Sequence, residues 1–264
     1  MPDTQLPETL TSQRDGNIAI LKLSRGAKRN ALNIDTVLGL RRFFMDLPKD
    51  IGAVVLHGEG DHFCAGLDLG EVSGATDLHE SILHSQTWHR AFHEMQFGRV
   101  PVICVLHGAV VGGGLELAAS THIRVAERSA YYGLPEGQRG IFLGGGGSVR
   151  IPRLIGVPLV QDMMLTGRTL SAEEGHAAGI SQYLAAEGGG LAKGIELARK
   201  AAGNAAMTNF AVISALPRIA ESHPDTGLFT ESLIAAIAET TPEAQKRLRD
   251  FLEKRAAKIV KPGE

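Results

Sequence analysis

The sequence is poor in the residues that usually announce chemistry. Its 264 residues hold two cysteines, one tryptophan and three tyrosines, and aromatics make up only 5%. Cys64 and Cys104 show no metal-ligand spacing, so they read as buried thiols of a reducing compartment. As a nucleophile, Cys64 would lack a base close by in the sequence. No uncharged apolar run of about 20 residues occurs, so no membrane-spanning helix is expected. The longest candidate, 101–120, is broken by His107, three consecutive glycines and Glu116. The first ten residues, MPDTQLPETL, lack the basic stretch and apolar run of a signal peptide, so the cytoplasm is the expected compartment. Charge of one sign is also missing. Against 29 Asp and Glu stand 27 Lys and Arg, a formal net charge of −2, which disfavours nucleic acid and anionic membranes as partners.

Glycine, by contrast, is abundant at 32 residues, and the excess is clustered. Between the clusters the chain alternates short apolar runs with helical spacing. Residues 17–23 read as a strand, paired with 9–13 around Asp15-Gly16. Asn33 caps a helix through Val37, Leu40, Phe44 and Leu47, and Pro48 stops it. Residues 53–56 and 102–106 are continuous apolar runs, as buried parallel strands require. A second helix is expected over 78–97, and further strands at 122–125 and 131–134. From about Leu159 the pattern turns helical, with Leu191, Ile195, Ala198 and Ala202 on one face. The last helix starts at Thr241-Pro242-Glu243, with Lys254, Arg255 and Lys258 near its end. The reading is an α/β fold of mostly parallel strands, with a core over 1–200 and a helical region over 201–264.

Two glycine clusters, 112–114 and 144–147, exclude more than they suggest at first. Neither forms a phosphate loop, GxxxxGK[ST], or a dinucleotide fingerprint, and HExxH, paired CxxC and GxSxG are all missing. No metal site is expected. Glycines opening a helix do leave N–H groups uncovered at the positive end of its dipole. That is a place to hold a carbonyl oxygen that gains charge during reaction. Close helix–strand packing would explain one or two of these glycines, but not three followed by a glutamate. Glu116 sits among apolar residues in GGGLELAAS, where a solvated charge is out of place. Taken alone, Glu136 in LPEG would be an ordinary loop carboxylate.

RNAL at 29–32, FCAGLDL at 63–69, GAVVGGGLELA at 108–118 and LPEGQRGIFLGGGG at 134–147 together resemble the crotonase (enoyl-CoA hydratase/isomerase) superfamily. LTGR at 165–168, SAEEGHAAGI at 171–180 and FLEKR at 251–255 complete the match, which runs from about Asn17 to Lys258. The resemblance implies a crotonase-like spiral of β-β-α units with a C-terminal helical extension that serves oligomerisation. It implies an oxyanion hole from the N–H groups of Leu67 and Gly113, a catalytic pair in Glu116 and Glu136, and a water-binding N–H at Gly144. It places the CoA adenine at Ala65, CoA phosphates near Lys28 and Arg29, and Phe251 and Lys254 at a neighbouring subunit's CoA site. A homotrimer or dimer of trimers follows. No separate cofactor is expected, because CoA is part of the substrate.

The activity so implied is reversible syn hydration of a short-chain 2-enoyl-CoA, with Glu136 serving C2 and Glu116 the water. Alternatives on the same scaffold are an isomerase, an acyl-CoA hydrolase, or a specialised methylthioacryloyl-CoA hydratase, which GDHFCAGLDLGE and LPEGQRGIF also resemble. A non-catalytic RNA-binding role has only Arg41-Arg42 in its favour. Three positions depart from the family pattern. Gly26 and Leu143 stand where prolines are usual, and Gly70 where some hydratases have a lysine. Asp68 reads as a local turn or cap partner. Trp88 and Phe92, four apart, read as core packing before pocket wall, and His89 and His93 as ordinary.

Overall fold

The computed structural model describes residues 6–71 and 77–255; the expected Lys258 lies outside them. The chain divides into two compact units, Met1–Gly203 and Asn204–Glu264.

The first unit is built on a six-stranded sheet ordered β1-β2-β3-β4-β6-β9. β1 (Leu10–Asp15) and β2 (Ile18–Leu23) form the expected antiparallel hairpin. β3 (Ala53–Gly58), β4 (Val102–Leu106), β6 (Ile123–Glu127) and β9 (Tyr183–Ala185) continue from β2 in parallel. β5 (Ala109–Val111), β7 (Tyr131–Gly133) and β8 (Leu170–Ser171) make a second, smaller sheet.

The central strands are apolar throughout because both of their faces are covered. Along β2, β3 and β4, Ile18, Ile20, Ala53, Val55, Ile103 and Val105 share one face with Leu197 and Ala198 of the later helix α7 (Gly190–Ala202). The alternate residues, among them Leu21, Val54, Leu56, Cys104 and Leu106, face the larger core. That core is closed by α1 (Ile34–Met45), α2 (Leu78–Gln96) and α3 (Gly113–Ala119). Asn33 caps α1 as its side chain accepts the Thr36 N–H at 3.1 Å. The helix ends at Met45, before the proline that was expected to stop it.

Helical structure resumes earlier than the expected Leu159, with α4 (Gly147–Ile155), α5 (Val157–Thr166) and α6 (Ala172–Ala178). Glycine at the first position and Pro152 inside make α4 a weak helix by propensity. Burial of Gly147 and Ile151 supplies what propensity does not. α6 carries a complete capping box between Ser171 and Glu174.

The second unit is helical. α8 (Ala206–Phe210), a π turn over Ala211–Ala215 and α9 (Leu216–Glu221) precede α10 (Pro224–Thr240) and α11 (Pro242–Leu252). Thr241 caps α11 as expected, accepting the Ala244 N–H at 3.2 Å. Among the described residues, no helix is long and apolar enough to cross a membrane.

Candidate active site

A cavity of about 450 Å³ opens in the first unit. It is walled by the loop after β3, one face of α2, the start of α3, and the loop from Glu136 to Gly145.

The RNAL stretch anchors the first wall. Asn30, buried and in a left-handed conformation (φ 55°), accepts the Arg25 N–H and donates to the carbonyls of Glu59 and His62 at 2.9 and 2.7 Å. Leu32 then bridges to the loop at 63–69: its N–H donates to Gly66 and its carbonyl accepts from Asp68, both at 2.8 Å. In a trans peptide the N–H points opposite to the carbonyl of the same unit. With Gly66 and Asp68 turned to Leu32, the Leu67 N–H faces away from Leu32, and Leu67 lines the cavity. Asp68 meets the local role expected of it, pairing with Arg25 at 2.9 Å and accepting the Gly70 N–H at 3.3 Å.

The Gly113 N–H opens α3 close to Leu67. A Cβ on Gly113 would stand 3.2 Å from the Leu67 nitrogen, and a Cβ on Gly66 would stand 3.2 Å from the Gly113 nitrogen. Neither N–H has an acceptor among the described residues. Side chains here would fill the space that both donors share, and the φ of +99° at Gly66 itself calls for glycine. Gly114 has a packing role instead, since its Cβ would fall 2.3 Å from the Cys64 carbonyl oxygen.

Glu116 lies one turn into α3 and is 4% exposed. Its Oε1 accepts the N–H groups of Gly145 and Gly147 at 2.9 and 2.8 Å, which leaves Oε2 free of them. Burial pushes its carboxyl up to about 7 against the pull of those two N–H groups; the nearby Glu136 adds to the rise and Arg150 opposes it. Glu136, on the loop after β7, is 6% exposed and has no hydrogen-bond partner for Oε2 among the described residues. Burial raises its carboxyl as well, with Arg139 opposing. Gly112 (φ +54°) makes room for it: a Cβ there would stand 2.8 Å from Glu136 Oε1.

Leu67, Gly113, Glu116, Glu136, Gly144 and Ala65 therefore share one cavity. The Gly144 N–H has no acceptor among the described residues. Lys28 and Arg29 are exposed and outside the lining; Lys28 stands 3.9 Å from Asp68, and the Arg29 side chain makes no ion pair among the described residues. Phe251 and Lys254 belong to the second unit, where Phe251 is exposed and Lys254 is left-handed (φ 58°). Burial pushes the Cys64 thiol up to about 12, which removes it as a nucleophile at neutral pH.

The sequence reading gave no role to Ser81, His84, Ser85 and Gly145 of the lining, or to Gly147 outside it. Gly145 and Gly147 clamp Glu116, and their signal was the position of the second cluster just ahead of a helix. Trp88 packs edge-on against Phe92, ring centroids 5.6 Å apart, as a core residue would. It is also a cavity wall, with Cζ3 3.1 Å from where a Gly113 Cβ would be. Ser81, His84 and Ser85 share that face of α2, and the His84 Nε2 is buried without a partner among the described residues. Of the departures, Leu143 is packed into the core.

The arrangement can polarise a carbonyl between two N–H donors and serve the adjacent carbons with two carboxyls. The chain is similar in sequence and fold to known proteins. A family model described as enoyl-CoA hydratase/isomerase matches residues 13–261. A crystal structure from Rhodopseudomonas palustris CGA009, of a protein provisionally named an enoyl-CoA hydratase, is 55% identical with a TM-score of 0.91, covering 95% of this chain and 97% of that one. The enoyl-CoA hydratase from Bacillus anthracis is 27% identical with a TM-score of 0.88, covering 95% and 98%. The fatty acid oxidation complex subunit alpha of Shewanella amazonensis is 34% identical over 193 residues, which are 71% of this chain and 27% of that protein. The chain thus spans about a quarter of the length of the curated relatives it matches. Motif order, fold and family match agree that this chain belongs to the enoyl-CoA hydratase/isomerase family and has the crotonase fold.

Proposed function

We propose that the protein is a hydratase that adds water syn, reversibly, across the C2=C3 bond of a short-chain 2-enoyl-CoA thioester. The observation that carries this reading is two buried carboxyls of raised proton affinity in the same cavity as two unclaimed N–H groups. The thioester oxygen lies between the N–H groups of Leu67 and Gly113. Those donors stabilise the negative charge that builds there as water attacks C3, and losing one such donor costs about 3 kcal/mol.

Glu116 holds the water through Oε2, because Oε1 is occupied by Gly145 and Gly147. The Gly144 N–H is a second contact for the same water. The water oxygen bonds to C3, its proton passes to Glu116, and the π electrons move through C2 to the thioester oxygen. Glu136 delivers its proton to C2 as the carbonyl re-forms. One proton then returns from Glu116 to Glu136 through solvent. The cycle needs Glu116 ionised and Glu136 protonated at its start, and the pair titrates as a unit.

For CoA, we assign the adenine to the backbone at Ala65, whose carbonyl accepts no hydrogen bond among the described residues. Phosphate contacts go to Lys28 and Arg29, with Phe251 and Lys254 supplied by a neighbouring subunit. Exposed Leu228, Phe229, Leu233 and Ile237 on α10 support a trimer or dimer of trimers, since a lone subunit would leave this apolar face in water.

The test is the loss of conjugated-thioester absorbance with a panel of enoyl-CoAs, methylthioacryloyl-CoA included. Hydration of at least one short-chain substrate is expected. Isomerisation of 3-enoyl-CoA without hydration of any 2-enoyl-CoA would transfer the assignment to an isomerase. Release of free CoA thiol alone would make it a hydrolase.

A further inference from the structure

Arg150 is unusual among the buried and half-buried charges near the cavity. It lies one turn into α4, and its guanidinium is spent on neutral partners. Nε donates to Gln96 Oε1 at the end of α2 at 2.6 Å, and Nη1 donates to the Gly145 carbonyl at 3.1 Å. Among the described residues it makes no ion pair with a carboxylate. Gly145 is the residue whose N–H holds Glu116 at 2.9 Å. The guanidinium also lies against Gly146, where φ is +94° and a Cβ would fall 2.2 Å from Nη1. One side chain thus holds the carbonyl of Gly145 while the N–H of the same residue, in the preceding peptide unit, holds the carboxylate.

We propose that Arg150 is a positioning residue: it locks the glycine loop so that the Gly145 and Gly147 N–H groups face Glu116, and its uncompensated positive charge keeps Glu116 ionised for its work on water. The inference rests on the reading of Glu116 as the water-binding carboxylate. A buried carboxylate beside a second acid favours its neutral form. Two N–H groups oppose that, and the Arg150 charge, held at the carbonyl of the residue that supplies one of those donors, adds a smaller pull in the same sense.

The other charged or titratable groups that share Glu116's cavity are Glu136 and Arg139 from the loop after β7 and His84 from α2, with Glu71 and Glu80 in the lining. Arg139 is exposed, so its charge is screened by water. Arginine suits the task because its planar fork serves two acceptors at fixed angles and stays charged when partly buried.

The experiment uses the whole protein labelled with carboxyl-¹³C glutamate, with the Glu116 resonance identified by its disappearance in Glu116→Gln. In Arg150→Met the titration midpoint of Glu116 is expected to rise by about half a pH unit or more. Arg150→Lys keeps the charge and should stay close to the parent. Gln96→Glu puts a carboxylate on the guanidinium while leaving Arg150 its partners, and should raise the midpoint even if Arg150→Met does not fold. In kcat profiles the acid limb should move with the midpoint. Arg150→Lys should restore the position of that limb while kcat stays lowered, because its single ammonium cannot hold both acceptors. An unmoved Glu116 midpoint in Gln96→Glu and in any folded Arg150→Met would overturn the proposal. If no enoyl-CoA is hydrated by the parent, the hydratase reading fails, and the titration still decides the role of Arg150.

Discussion

Glu116 and Glu127 are two buried glutamates held by one device in two different ways. Each accepts two N–H groups from a glycine-rich stretch that opens a helix. Glu116 takes Gly145 and Gly147 at the start of α4; Glu127 takes Gly188 and Gly190 at the start of α7. The difference lies in the oxygens. Glu127 spends both, with Gly188 on Oε2 and Gly190 on Oε1. Glu116 takes both bonds on Oε1 and keeps Oε2 for the cavity. A carboxylate with a donor on each oxygen is a clamp between β6 and α7. One with both donors on a single oxygen is fixed in place and has the other oxygen left to bind water or carry a proton.

Three measurements bear on that contrast. The largest effect is expected in kcat. Glu116→Gln and Glu136→Gln should each lower it about a hundredfold or more, whereas Glu127→Gln should leave it within about twofold, as expected of a group outside the chemistry. A near-normal rate in either of the first two would remove that residue from its role.

The next effect is on stability. A glutamine at 127 must turn its amide NH₂ toward one of the two glycine N–H donors, leaving a buried donor unmatched. The cost is about 1–3 kcal/mol, readable as a lower denaturant midpoint. At 116 a glutamine can keep its oxygen on Gly145 and Gly147 and place NH₂ in the cavity. An unchanged midpoint in Glu127→Gln would show that the clamp contributes nothing.

The smallest effect has the opposite sign. The folded state holds the Glu116 carboxyl at about 7, above the ordinary carboxyl range. Between that range and pH 7 the folded protein keeps a proton that the unfolded chain has released, so this residue's contribution to stability falls as pH rises. Glu116→Gln, always neutral, should therefore raise Tm at pH 8, with the gain vanishing near pH 4. An equal gain at both pH values would mean that the cost lies in packing rather than charge. Activity should fall as pH drops below about 7, since the carboxylate we propose as the water's partner is then protonated.

Much of the fold was legible in the chain. Continuous apolar runs marked β3 and β4, a cap at Asn33 marked α1, and Thr241-Pro242 marked α11. β8 and β9 were not legible, because strands of two or three residues are too short to show alternation. α4 was hidden by its glycine and proline, whose intrinsic cost is met only by packing. Trp88 and the face of α2 below it were half-legible: helical spacing groups Ser81, His84, Ser85 and Trp88, but cannot say whether that face meets a core or a cavity.

The sequence by itself determined which residues were candidates, Glu116 and Glu136 among 29 acids, because the motifs that frame them are local and ordered. It also determined where backbone must come close, since a Cβ at Gly66 or Gly112 would fall 2.8 Å from a neighbouring oxygen. Tertiary structure alone decided that two glutamates 20 residues apart share a cavity, and that one of them has an oxygen to spare. It also decided that Arg150 reaches the carbonyl of a glycine whose N–H holds that carboxylate. Charge state depends on burial and on neighbours brought from distant segments, and neither exists until the chain is folded.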